Sequence, residues 1–133
     1  MVDDLLPPLY SIEHICDELL REKYGLLAQR QMEKVQVIQS QAKSLINLYE
    51  DYLSQSTSIE IVKNQRLWNL CSESRTPMVL FAVSLDLMAV FNERQIAPLT
   101  SQQKSCHQEI LDQVQILKAV WDQILAHLQR YIS

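Results

Sequence analysis

A chain of 133 residues, 47% hydrophobic and 21% charged, is long enough to bury a core and too apolar for a disordered segment. One glycine and four prolines supply too few turn formers for a β-sandwich or barrel, so the composition points to a few long helices. The twelve lysines and arginines are dispersed from Arg21 to Arg130 within a net charge of −4, which argues against a basic face for nucleic acid or a membrane surface.

Taken in order, residues 1–10 read as an extended, proline-containing N-terminal segment, and residues 11–133 as one helical bundle domain. The acidic start (Asp3, Asp4) lacks the basic and apolar signature of a secretory leader. Ser11 is the expected N-cap of a first helix, with Glu13 in its first turn and Tyr10 and Ile15 as a hydrophobic staple. That helix is expected to reach about Ser54, bent at Gly25. Gln55-Ser56-Thr57-Ser58 breaks the pattern, and Thr57 with Glu60 forms a capping box for a second helix ending near Glu73. Thr76-Pro77 is the start signal of a third helix, to about Gln95, apolar almost all round and so expected to be the most buried. Its most apolar run, Met78 to Phe91, is too short for a transmembrane segment. Pro98 and the Thr100–Gln103 capping box precede a last helix from Ser101.

Two of these helices carry heptads. Val35, Ile38, Ala42, Leu45, Tyr49 and Tyr52 alternate spacings of three and four. So do His107, Ile110, Val114, Leu117, Trp121, Ile124, Leu128 and Tyr131. That is the repeat of a left-handed helix–helix seam. Apolar neighbours (Ile46, Leu53, Leu111, Val120, Leu125) widen both stripes beyond a two-stranded coil. The fold expected is all-α, an elongated antiparallel four-helix bundle with coiled-coil-like packing. The abundant glutamines read as solvated helix surface.

Candidate chemistry is sparse. Cys16, Cys71 and Cys106 are scattered and odd in number, as for buried thiols in a reducing, intracellular and cytoplasmic setting. His14 with Glu18, and Cys106 with Glu109, have ligand spacing on one helix face, but neither has the second pair that a metal site needs. Cys106 and His107 are adjacent and point about 100° apart, so they do not form a nucleophile–base pair. No glycine-rich phosphate loop is present. Asp86 stands in the most apolar helix, either as a buried carboxylate or on that helix's exposed strip beside Ser84. Neither an enzyme nor a cofactor or metal site is expected.

Pro7-Pro8-Leu9-Tyr10 matches the PPxY pattern and resembles the ligands of WW domains. The resemblance covers four residues and implies docking of an extended polyproline II segment onto a WW-domain protein. The function expected from the whole pattern is a scaffold or adaptor module that joins a helical protein partner, or a second copy, within a larger assembly. Its contact residues would be Pro7, Pro8, Tyr10, Val35, Ile38, Leu45, Tyr49, Tyr52, Leu117, Trp121, Ile124 and Leu128. The alternative is a small-molecule or lipid-binding bundle with a pocket among Leu80, Phe81, Leu87, Phe91 and Trp121.

Overall fold

The computed structural model describes residues 1–55 and 57–132, the last of these in its backbone only. The described residues form an all-helical antiparallel bundle. A 3-10 turn, Val2–Leu5, leads into α1, Leu6–Leu20, followed by α2, Gln29–Ser54, α3, Glu60–Glu93, and α4, Ser101–Ile132. Four helices were expected and four are present, but two of the expected boundaries are displaced.

The first displacement is at the N-terminus. Residues 1–10 are helical rather than extended, and Ser11 lies inside α1 instead of capping it. Pro7 and Pro8 occupy the first turn, where a helix has no internal use for their missing N–H groups. Leu5, Leu9, Ile12, Cys16 and Leu19 then recur at helical spacing and are almost fully buried, which anchors α1 to the core. The expected long helix is broken, not bent, around Gly25. Glu22 and Gly25 both take positive φ, 59° and 112°, which ends a right-handed helix. The Glu22 carboxylate accepts the Leu27 N–H at 3.0 Å and shapes the connection. A Cβ at Gly25 would also lie 3.4 Å from Thr100 Cγ2.

The second displacement is in the middle of the chain. Thr76-Pro77 does not start a helix, because α3 runs through Pro77 without interruption. An interior proline removes one hydrogen bond and costs about 3 kcal/mol. Packing offsets that cost: Leu67, Leu70, Ser74, Phe81, Ser84, Leu85 and Met88 are buried on both sides of it, and the stripe they form passes through position 77 unbroken. Thr57 does not cap α3. Its hydroxyl accepts the Ile59 N–H at 3.2 Å, two residues ahead of the N-cap position at Ile59, and Ser56 lies outside the described residues.

Cross-links at both ends fix the antiparallel order. Arg66, near the start of α3, donates to the Tyr52 and Gln55 carbonyls at 3.1 Å each and stacks on the Tyr52 ring, closing the end of α2. At the other end, Gln31 is fully buried, and its Nε2 donates to the Met88 and Ala97 carbonyls at 3.1 and 2.7 Å. The Thr100–Gln103 box closes as expected. Thr100 N–H meets Gln103 Oε1 at 2.9 Å, and Gln103 N–H meets Thr100 Oγ1 at 3.1 Å. The same side chains reach the α1–α2 connection: Thr100 Oγ1 donates to the Tyr24 carbonyl, and Gln103 Nε2 to those of Gly25 and Leu26. Gln31 and Gln103 are therefore structural, unlike the exposed glutamines around them.

α1 packs on α2 and α4, α2 also packs on α3, and α3 meets α4 through a sparser contact. At about 1.5 Å per residue α1 spans only some 22 Å, against roughly 50 Å for α3 and α4, so the far half of the bundle has three helices.

Candidate functional site

The two expected heptads close inside one chain. Val35, Ile38, Leu45, Tyr49, Leu117 and Ile124 are fully buried, and Leu128 and Trp121 nearly so. All but Trp121 and Leu128, which also line hollows on the α3–α4 face, form the core instead of a surface for another molecule, because α1 and α3 cover stripes that the sequence alone left open. Tyr52 is half-buried beneath Arg66. The Pro7-Pro8-Leu9-Tyr10 segment is helical, with Pro8 and Leu9 buried, so a WW domain could read it as polyproline II only after α1 unwound.

Three of the helices meet at a buried polar relay. Trp121 Nε1 donates to Tyr49 Oη at 3.2 Å, Tyr49 Oη donates to Ser74 Oγ at 2.8 Å, and Ser74 Oγ donates to the Leu70 carbonyl at 2.7 Å. The Tyr49 and Trp121 rings lie 5.9 Å apart in a tilted arrangement. Burial pushes the Tyr49 phenol up to about 12, against the opposing effect of its hydrogen bonds to Ser74 and Trp121. The folded phenol titrates above its unfolded value of 10.0. The stability this group contributes is therefore complete below pH 10 and lost as pH rises toward 12, by roughly 2–3 kcal/mol. Denaturation midpoints measured from pH 8 upward should fall more steeply for the native chain than for Tyr49→Phe. Equal slopes would show that Tyr49 does not titrate in a buried site.

Two members of the relay, Ser74 and Trp121, reach the floor of a trough between α3 and α4. Trp68, Arg75, Met78 and Val79 line one wall, Lys118, Asp122 and Leu125 the other, with Trp121 at the base and a cavity of about 490 Å³ between them. A second hollow of about 310 Å³, bounded by Ile61, Asn64, Trp68, Leu128 and Tyr131, extends it toward the three-helix end. The residues expected to line a cavity, Leu80, Phe81, Leu87, Phe91 and Trp121, do not together line either of these hollows. Phe81 is buried in the core, Phe91 packs under Arg30, and only Trp121 reaches the trough.

The uncovered part of this face is α3 itself. It is not the most buried helix: Trp68, Val79 and Val83 are 46%, 59% and 47% exposed. Among the described residues it is also the one helix long and apolar enough to cross a membrane by length and composition, a test that core helices of soluble proteins also pass. Its exposed side carries a third heptad. Trp68, Arg75, Val79, Ala82, Asp86 and Glu93 mark it, with Ser72 and Ala89 at the remaining turns, and all eight are exposed or half-buried. The expected break at Thr76-Pro77 cut this stripe in two and hid it. Asp86 lies on this exposed strip, not in the core, and no ion pair joins it or Arg75 to any described residue.

The residues singled out for metal or nucleophilic chemistry have other partners. Glu18 collects His14 at 3.2 Å, the Tyr24 hydroxyl at 2.9 Å, and Lys23. These bonds, led by the one from Lys23, hold its carboxyl below the usual range. His107 places Nε2 3.0 Å from the Leu85 carbonyl. Burial pushes the Cys16 thiol up to about 12 and raises Cys71 and Cys106 as well. No group of three or more metal-ligating side chains occurs among the described residues. Compared with known proteins, the chain matches no family model, no curated protein and no solved structure.

Proposed function

We propose that this protein is a non-enzymatic helical association module that docks a helix of a protein partner on the face shared by α3 and α4. The observation that carries the reading is the exposed heptad of α3 beside an open apolar trough. A helix that packs only on this chain has no use for a half-exposed Trp68 and an exposed Val79 along one stripe, with Val83 exposed beside it. An occupant as wide as a helix would cover the rim residues Trp68, Val79 and Leu125 as well as the floor. A photo-crosslinking residue at Val79 should capture polypeptide in native cells, and the same residue at exposed Asn47 on α2 should not. Equal capture at the two positions would overturn the reading.

A second reading is favoured by the trough's apolar base and by Arg75 and Lys118 on its walls. It is an acyl chain laid along the base with its carboxylate at these cations. Saturable binding of a fatty acid that changes Trp121 emission, with no crosslinked polypeptide at Val79, would select it instead.

A further inference from the structure

From the order of charge along the exposed heptad, we infer that the helix docked on α3 is α3 of a second copy, running antiparallel about a two-fold axis between Val79 and Ala82. The inference rests on the reading of this face as a protein-docking surface. Antiparallel pairing maps each heptad position onto the one equally far from the axis. Val79 meets Ala82 of the second copy, Arg75 meets Asp86 of the second copy, and Trp68 lies against Glu93 of the second copy, each contact occurring twice. The stripe is thus apolar and small at its centre, where helix axes approach closest, and opposite in charge on its two sides. Neither charge has an ion-pair partner among the described residues. Neither of the other two heptads is available for such pairing, since both lie in the core. Slipping the register by one heptad in one direction leaves both charges without partners; in the other it sets Arg75 against Glu93 but places Asp86 against Ala82 beside the axis, so the apolar centre and the charges together select the alignment. A contact of one helix on one helix is small for a stable dimer, so the association is weak and weakens further with salt.

The test is sedimentation velocity on the whole chain, over a concentration series at low and high salt, with circular dichroism to confirm folding. The native chain should dimerise. Arg75→Glu and Asp86→Arg should each weaken the dimer about tenfold or more, since each turns two attractions into two repulsions. Mixing the two variants in equal amounts should restore it, because the mixed dimer regains both opposite-charge pairs. A dimer lost with Val79→Asp but indifferent to the charge reversals would overturn the alignment and leave the docking face standing. A chain monomeric throughout, whose Val79 still crosslinks to other polypeptides, would overturn self-pairing alone. A dimer unaffected by Val79→Asp and by both charge reversals would remove α3 from the interface altogether.

Discussion

Replacing Leu117 and Ile124 together with asparagine should abolish cooperative folding. Both side chains are fully buried on the α4 stripe, and each is surrounded by core residues of the facing helices. Truncating a buried Leu or Ile costs about 2–5 kcal/mol. An amide placed there without a partner adds a further 1–3 kcal/mol or so. Two such sites together cost on the order of 6 kcal/mol or more, which matches or exceeds the stability of many domains of this size. Far-UV circular dichroism with a urea titration is the check: the native chain should show one transition, and the double variant little helix and no transition. Gln123→Asn, on the exposed side of the same helix, is the control and should stay within about 0.5 kcal/mol of native. A folded double variant would mean that the α4 heptad is not core.

Gln103→Ala should cost roughly 2–3 kcal/mol, a large effect for a polar residue in the first turn of a helix. Its side chain accepts the Thr100 N–H and donates to the Gly25 and Leu26 carbonyls, and it is 1% exposed. Alanine there would leave a part-buried N–H and two loop carbonyls without their protein partners. Hydrogen exchange should quicken across residues 21–28 as the melting temperature falls, because that connection loses its clamp. Gln108→Ala loses only an exposed bond to Asp112 and should change neither measurement. Unchanged exchange in the Gln103 variant would mean that the connection is held by Gly25 and Glu22 alone.

These examples show which features are legible from residues alone. The Thr100–Gln103 box and the α2 and α4 stripes are local patterns, and each is present as read. The second role of Gln103 is not local, since its loop partners lie 77 and 78 positions away. The number of helices came out right through two opposite errors. Gly25 was read as a bend, but left-handed backbone at Glu22 and Gly25 breaks the chain there. Pro77 was read as a start, but burial on both sides carries the helix through it. Propensity sets a local cost and packing overrides it, and packing is known only once the neighbouring helices are placed. The exposed stripe of α3 is hidden for the same reason, since its heptad runs across the proline. Which stripes are covered is also a property of the assembled bundle, so the contact residues expected on α2 and α4 lie in the core, apart from the half-buried Tyr52.

The clamp of Thr100 and Gln103 on the α1–α2 connection also bears on how the chain is made. Both residues that secure Tyr24, Gly25 and Leu26 stand at the start of the last helix, Thr100 just before it and Gln103 in its first turn. On the ribosome α1 emerges first, with the apolar row from Leu5 to Leu19, yet one of the two helices that cover it has still to be translated. The α2–α3 hairpin, whose partners are adjacent in sequence, can form during synthesis, whereas α1 acquires its full set of neighbours only after α4 is released from the exit tunnel. Until then α1 keeps part of its aliphatic row exposed, a surface that favours association with other apolar surfaces over the native one.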